Sequence, residues 1–318
     1  MKQVKGYHVF YQTKEVGEYH QIDLLVQVTS ILFWKHKWGS IGLYCNQEYL
    51  DYLKQYNLDV LYDDINVDFL EQTPYKQYYP KYWSLCKIEA AKHISQTHKQ
   101  FAIIDTDLWI KDQLGIKYSD YDFVGHHDEK YDLNYEKNVY IDPINFLPLE
   151  EVNKLKFSKL PINCAFMYFN SKKLIDTWHE WVYKIVELNK DLPKLPLHKD
   201  TIFIEQRLLP AVLSTYKFKW RNLSPHTYLT HQSELQDGSE WEPSFGFNEE
   251  SEKYFDSLRH IWGMKTTYSY EPYREMILNV VYFDLFETFD TNFLNKYFSK
   301  LINECNQIHP NSHLNNAR

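Results

Sequence analysis

Asp105 and Asp107, with only Thr106 between them, close the apolar run 101–104 in the stretch FAIIDTDLWI. Nothing in that run alternates with polar residues, so it reads as a strand covered on both faces. A carboxylate at the end of such a strand is costly to desolvate without a partner. Two of them two residues apart on a strand share one side and repel each other. A divalent cation answers both objections. Mg²⁺ and Mn²⁺ favour carboxylate oxygens and share their shell with substrate phosphates, so the pair suits a metal held against a diphosphate. A solvated turn is the bland alternative, and the apolar LWI that follows (108–110) speaks against it.

Such a pair needs a scaffold, and the chain supplies one. Apolar patterning predicts strands over 7–13, 40–46, 58–65, 101–104 and 162–171, with a short strand in 120–132 that leads into a polar loop. Helices are predicted over 22–38, 47–56, 172–189 and 201–216. Another covers 78–95, starting just after Pro80, and a terminal helix lies within 279–305. Strands alternating with helices make an α/β protein with a mostly parallel sheet, and ligands gather at the carboxyl ends of such strands. Asp105 and Asp107 fall at one of those ends. The segment 133–160 reads as an insertion and 220–256 as loop and short strand, while HHD (126–128) has metal-ligand residue types but reads first as polar loop. With no internal repeat or linker, residues 1–305 read as one domain and 306–318 as a disordered tail.

Composition narrows the classes. Of 318 residues, 44% are hydrophobic and 25% charged, which is ordinary for a globular chain. A net charge of −8 argues against a nucleic-acid binder. The four cysteines, Cys45, Cys86, Cys164 and Cys305, form no C-x-x-C pair and read as free thiols of a reducing compartment. No signal peptide opens the chain and no stretch is long and apolar enough to span a bilayer, so the expectation is a cytoplasmic protein, with peripheral membrane contact left open. Aromatic residues reach 17%, a weak pointer to sugar-binding surfaces.

Four segments, in order, resemble GT-A glycosyltransferases that use nucleotide-sugars. A strand ending in D-x-D about a hundred residues in resembles their metal motif. INCAFMYFNS (162–171) is similar to the fNaGvmvfn strand of families such as glycosyltransferase family 8, with Asn163 matching and Ala165 in place of Gly. IEQRLLPAV (204–212) is similar to their DQdllN helix, with Glu205 replacing Asp and Gln206 retained. HIWGMK (260–265) is similar to HxxGxxKPW, with His260 and Gly263 matching, Lys265 one residue early and the Pro-Trp missing. The resemblance spans about half the chain. It implies a Rossmann-like GT-A fold and transfer of a sugar from a nucleotide donor, UDP-linked by expectation, to a glycan, lipid or protein acceptor. It leans weakly towards retention of configuration.

The chemistry of such a transfer assigns roles. Asp105, Asp107 and His260 are the expected ligands of Mn²⁺ or Mg²⁺, with His260 contributing neutral imidazole. Lys265 is expected at the leaving diphosphate as a point charge, and Gly263 allows backbone to approach it. Glu205 is a candidate to orient the acceptor hydroxyl or act as base. Lys87 lies where related enzymes place a basic residue against the donor, with an ordinary solvated lysine as the favoured alternative. Asn163 suits a sugar hydroxyl or its own turn. Trp109 and Trp262 suit stacking on sugar or base, and equally core packing. Three other readings share features with this one: a haloacid-dehalogenase-type phosphatase, a nucleotidyltransferase, and a non-catalytic glycan-binding protein on the same fold. The phosphatase expects its D-x-D on the first strand, and the nucleotidyltransferase a Gly-Ser signature ahead of its carboxylates.

Overall fold

Neighbouring residues of the central strand point into different cores. Phe101 and Ile103 belong to one cluster of buried side chains, Ala102 and Ile104 to the other. That two-residue period is what a strand covered on both faces requires. The computed structural model describes residues 4–11, 21–112, 114–128, 142–157, 160–195, 199–223, 258–260 and 271–308.

Seven strands make the sheet: β1 (Lys5–Phe10), β2 (Ile41–Cys45), β3 (Asp64–Asn66), β4 (Phe101–Ile104), β6 (Phe123–Asp128), β7 (Ile162–Phe169) and β8 (Trp220–Asn222), in the order β3-β2-β1-β4-β7-β6-β8. All pairings are parallel except those of β7, which runs antiparallel to both β4 and β6. Two short strands, β5 (Leu108–Ile110) and β9 (Leu258–His260), pair separately as an antiparallel ribbon. One face is covered by helices α1 (Gln21–Lys37) and α2 (Gln47–Lys54), together with two C-terminal helices numbered below. The other carries α3 (Asp68–Gln72), α4 (Leu85–Ile94) and further helices from the second half of the chain. In chain order those are α5 (Leu149–Val152), α6 (Lys172–Asn189), α7 (Lys199–Ile202) and α8 (Leu208–Thr215), then α9 (Glu271–Thr288) and α10 (Thr291–Ile308). The α/β expectation is met.

Helix α6 illustrates how sequence dictates element. Leu174, Ile175, Trp178, Trp181, Val182, Ile185 and Val186 recur on one buried stripe. Ser171 caps its first turn, its hydroxyl accepting from the Leu174 amide at 3.3 Å. At Gly6 of β1, a Cβ would lie 2.5 Å from Cε2 of Trp34, which is buried in α1 and stacked on Trp38, so this crossing needs glycine.

Several expectations are corrected. The helix expected from Pro80 begins at Leu85, because 76–84 is spent on a 3-10 turn and further turns. Of 58–65, only the end is strand: Asp59–Leu61 is a 3-10 turn and β3 begins at Asp64. The terminal helix is two helices, broken before Thr291, and the second continues to Ile308, into the stretch expected as tail. All four cysteines are free and buried. Among the described residues no helix is long and apolar enough to cross a membrane.

Candidate active site

The chain turns at the aspartates instead of running straight through them. The Asp105 amide donates to the Ala165 carbonyl at 2.7 Å, a last contact with β7. The Leu108 amide then donates to the Asp105 carbonyl at 3.1 Å, closing a turn over Asp105-Thr106-Asp107-Leu108. This corrects the expectation that both carboxylates lie on one side of a strand. The turn sends them to different partners: Asp105 Oδ1 meets Lys87 Nζ at 2.5 Å, and Asp107 Oδ1 lies 3.7 Å from His260 Nε2.

His260 arrives through register. Leu108 of β5 stands opposite His260 of β9, so the residue after Asp107 holds the strand that carries the histidine. Burial pushes the His260 imidazole down to about 4, against the pull of Asp105 and with that of Lys87, so it is neutral at pH 7.

Lys87 projects from the first turn of α4 and is buried, which overturns the solvated alternative. Its ammonium bridges Asp105 and Glu205, the second at 3.1 Å. Burial works against its charge, but the two carboxylates outweigh that and hold Lys87 protonated well above the usual lysine range. Glu205 lies in a π-helical turn (Phe203–Arg207) between α7 and α8. Pro210 has no amide to donate to the carbonyl four residues back, and the wide turn sits just ahead of it. The helix therefore bulges where Glu205 meets Lys87.

Asn163 opens β7, and because β7 runs backwards its start lies at the carboxyl end of the parallel strands. Its Oδ1 accepts from the Ala165 amide at 3.0 Å and meets His126 Nδ1 at 3.1 Å. The reading of HHD as polar loop is overturned: His126 and His127 are buried on β6, and the His126 ring lies 5.1 Å from that of His260. Burial lowers the His126 pKa to about 3. Sequence offered a signal for this pair, since FVGHHD repeats the pattern of FAIIDTD, an apolar strand passing into ionisable residues. Trp83 was also missed; its ring lies 5.7 Å from Lys87 Nζ and is partly exposed. Trp109 is core, its indole N–H donating to buried Asp284 at 2.8 Å. Trp262, Gly263 and Lys265 lie outside the described residues.

A carboxylate oxygen and a neutral imidazole nitrogen 3.7 Å apart fit two ligands of one hard cation, each about 2.0–2.3 Å from it. Asp105 is turned towards Lys87, and no group of three or more His, Cys, Asp or Glu side chains among the described residues is arranged to hold a metal by itself. Such ions ordinarily keep positions for water and substrate phosphate, so a site of few protein ligands suits Mn²⁺ or Mg²⁺ with a diphosphate present.

No protein-family model matches the chain, and no curated protein sequence does. Solved structures do. The likeness is to glycosyltransferases. The galactosyltransferase LgtC, solved in complex with donor and acceptor sugar analogs, is 11% identical with a TM-score of 0.42, covering 92% of this chain and all of that one. The glycosyltransferase GlyE of Streptococcus pneumoniae TIGR4 is 12% identical with a TM-score of 0.40, over 93% of this chain and 64% of that one. Mouse xyloside xylosyltransferase 1 is 13% identical with a TM-score of 0.31, over 68% and 77%.

Proposed function

We propose that this protein is a glycosyltransferase that moves a sugar from a nucleoside-diphosphate donor, UDP-linked by the resemblance of its motifs, to a hydroxyl of a glycan, lipid or protein acceptor. The observation that carries this reading is the convergence, at the carboxyl end of the sheet, of the Asp107–His260 pair with Lys87 braced between Asp105 and Glu205. Breaking the bond between the sugar and the diphosphate leaves extra negative charge on phosphate oxygens, and fixed positive groups stabilise it. Asp107 and His260 are assigned to Mn²⁺ or Mg²⁺, with Asp105 alongside; when bound, the cation supplies Lewis acidity to the leaving diphosphate. Lys87 adds a second positive charge, kept in place and protonated by Asp105 and Glu205. Glu205 is thereby assigned to hold Lys87, and Asn163 to orient His126 beside the site. Lys265 and Gly263 are assigned to the diphosphate on the resemblance of HIWGMK. Four free, buried thiols suit a reducing, cytoplasmic setting.

A panel of nucleotide-sugars, with and without Mn²⁺, tests this by thermal shift and donor hydrolysis. One donor should raise the melting temperature only with the metal present, since a ligand of the folded state stabilises it by mass action. Failure of every donor to bind, with metal or without, would leave a non-catalytic role.

A further inference from the structure

Beneath the Asp107–His260 pair lies a file of polar side chains that the proposed chemistry does not use. Tyr49 of α2, Gln27 and Ser30 of α1, Tyr62 ahead of β3 and His8 of β1 are all buried. Tyr49 Oη lies 2.5 Å from Gln27 Oε1, and Gln27 Nε2 2.5 Å from Tyr62 Oη. Tyr62 Oη is 2.8 Å from His8 Nδ1, His8 Nε2 is 3.1 Å from Ser30 Oγ, and Ser30 Oγ is 2.5 Å from the Leu108 carbonyl.

That last acceptor settles the protons of the file. A carbonyl only accepts, so the Ser30 hydroxyl donates to it. The Ser30 oxygen then accepts from His8, which puts the imidazole proton on Nε2. A neutral imidazole has one N–H, so Nδ1 is bare and Tyr62 donates to it. The Tyr62 oxygen accepts the Gln27 amide, and the Gln27 carbonyl accepts from Tyr49. Every member donates in one direction, towards Leu108.

Leu108 follows Asp107 and stands opposite His260. We propose that His8 and Ser30 are positioning residues for the Asp107–His260 pair: the file pins the Leu108 carbonyl, and with it the direction in which Asp107 leaves the turn and the register at which β9 presents His260. Apolar side chains can fill the same volume, so five polar ones ordered towards one carbonyl act as a directional constraint. The inference rests on the reading of Asp107 and His260 as cation ligands.

Ser30→Ala removes the last two bonds, and alanine is the better helix former, so α1 keeps its shape. Ser30→Thr restores the hydroxyl, and Tyr62→Phe cuts the file two links back. Val182→Ala, in the core across the sheet, is the stability control. Two readouts are taken on each protein: the dissociation constant for Mn²⁺ without donor, by calorimetry, and the NMR signals of the His260 ring without metal. Ser30→Ala should weaken Mn²⁺ binding about 10-fold or more, as loss of an outer support commonly does, and should shift the His260 signals. Ser30→Thr should recover both, Tyr62→Phe should fall between, and Val182→Ala should lower the melting temperature while changing neither. If Ser30→Ala lost stability as the control does but kept wild-type Mn²⁺ affinity and His260 signals, the positioning role would be refuted. If the wild-type protein bound no Mn²⁺ either alone or with UDP added, the cation reading would fall, and the His260 signals would decide the positioning role alone.

Discussion

Replacing Lys87 with methionine removes one charge from a cluster of three, of which Lys87 and Glu205 are buried. Its Nζ lies 2.5 Å from Asp105 and 3.1 Å from Glu205, whose side chain is 2% exposed. At an effective dielectric constant of about 20, unit charges about 3 Å apart attract by about 5 kcal/mol, an attraction offset by the cost of burying the groups. Methionine fills much of the volume but takes away the ammonium 3.1 Å from the Glu205 carboxylate. A carboxyl so buried takes up a proton rather than stay charged. Protonating a carboxyl of ordinary pKa, about 4.3, costs about 3.7 kcal/mol at pH 7. Lys87→Met should therefore destabilise the protein by about 3–4 kcal/mol at pH 7. Asp105 is more than a quarter exposed and adds less, because water screens it. The sign with pH follows from proton counts. The folded variant holds a proton that the unfolded chain releases, so its stability falls as pH rises and recovers as pH falls. The deficit should shrink by about 1.4 kcal/mol per pH unit, leaving about 1 kcal/mol at pH 5. Urea unfolding from pH 8 to pH 5 measures it, and Lys87→Met/Glu205→Gln should regain most of the loss. A deficit below about 1 kcal/mol at pH 7, the size of an unremarkable substitution, or one independent of pH, would refute the reasoning.

Asp107→Asn keeps shape and loses charge, so Mn²⁺ affinity measured by calorimetry should collapse while the metal-free melting temperature holds or rises slightly. Burial pushes the His8 imidazole down to about 3, against the pull of Asp105, whereas the unfolded chain protonates near 6.5. Below about pH 6.5 the unfolded state binds the extra proton, so stability should drain away towards pH 3 by up to about 1.4 kcal/mol per unit. His8→Gln should flatten that slope in a pH series of melting curves. Gly6→Ala drives a methyl into Trp34 and should cost about 1–3 kcal/mol in urea unfolding, with no change in Mn²⁺ affinity.

Much of the scaffold was legible from local pattern. The strand within 162–171 and the helix 172–189 appear with almost those bounds, because burial at period 2 or 3.6 is written directly into residue order. Where pattern failed, something non-local or a turn had intervened. The stretch 58–65 holds apolar residues that a strand would bury, but the 3-10 turn Asp59–Leu61 buries none of its own and leaves Val60 exposed. HHD looked like loop because three polar residues in a row are costly in a core. It is strand because β7 brings Asn163 to His126, and the Asn163 oxygen, oriented by the Ala165 amide, meets the imidazole.

At the site the division is sharper. Residue order by itself determined that the apolar run 101–104 is a buried strand with acidic residues following it at the carboxyl edge of an α/β sheet. It also carried the motif likeness that singled out Asn163, Glu205 and His260. Only tertiary structure decided the partners. The turn closed by the Leu108 amide separates the carboxylates, so that Asp105 meets Lys87 and Asp107 meets His260. A π-helical turn brings Glu205 to the far side of the same ammonium. The physical reason is that periodicity records how deeply a residue is buried but not what it faces. Partners are set by chain reversal and strand register, which depend on residues far apart in the chain.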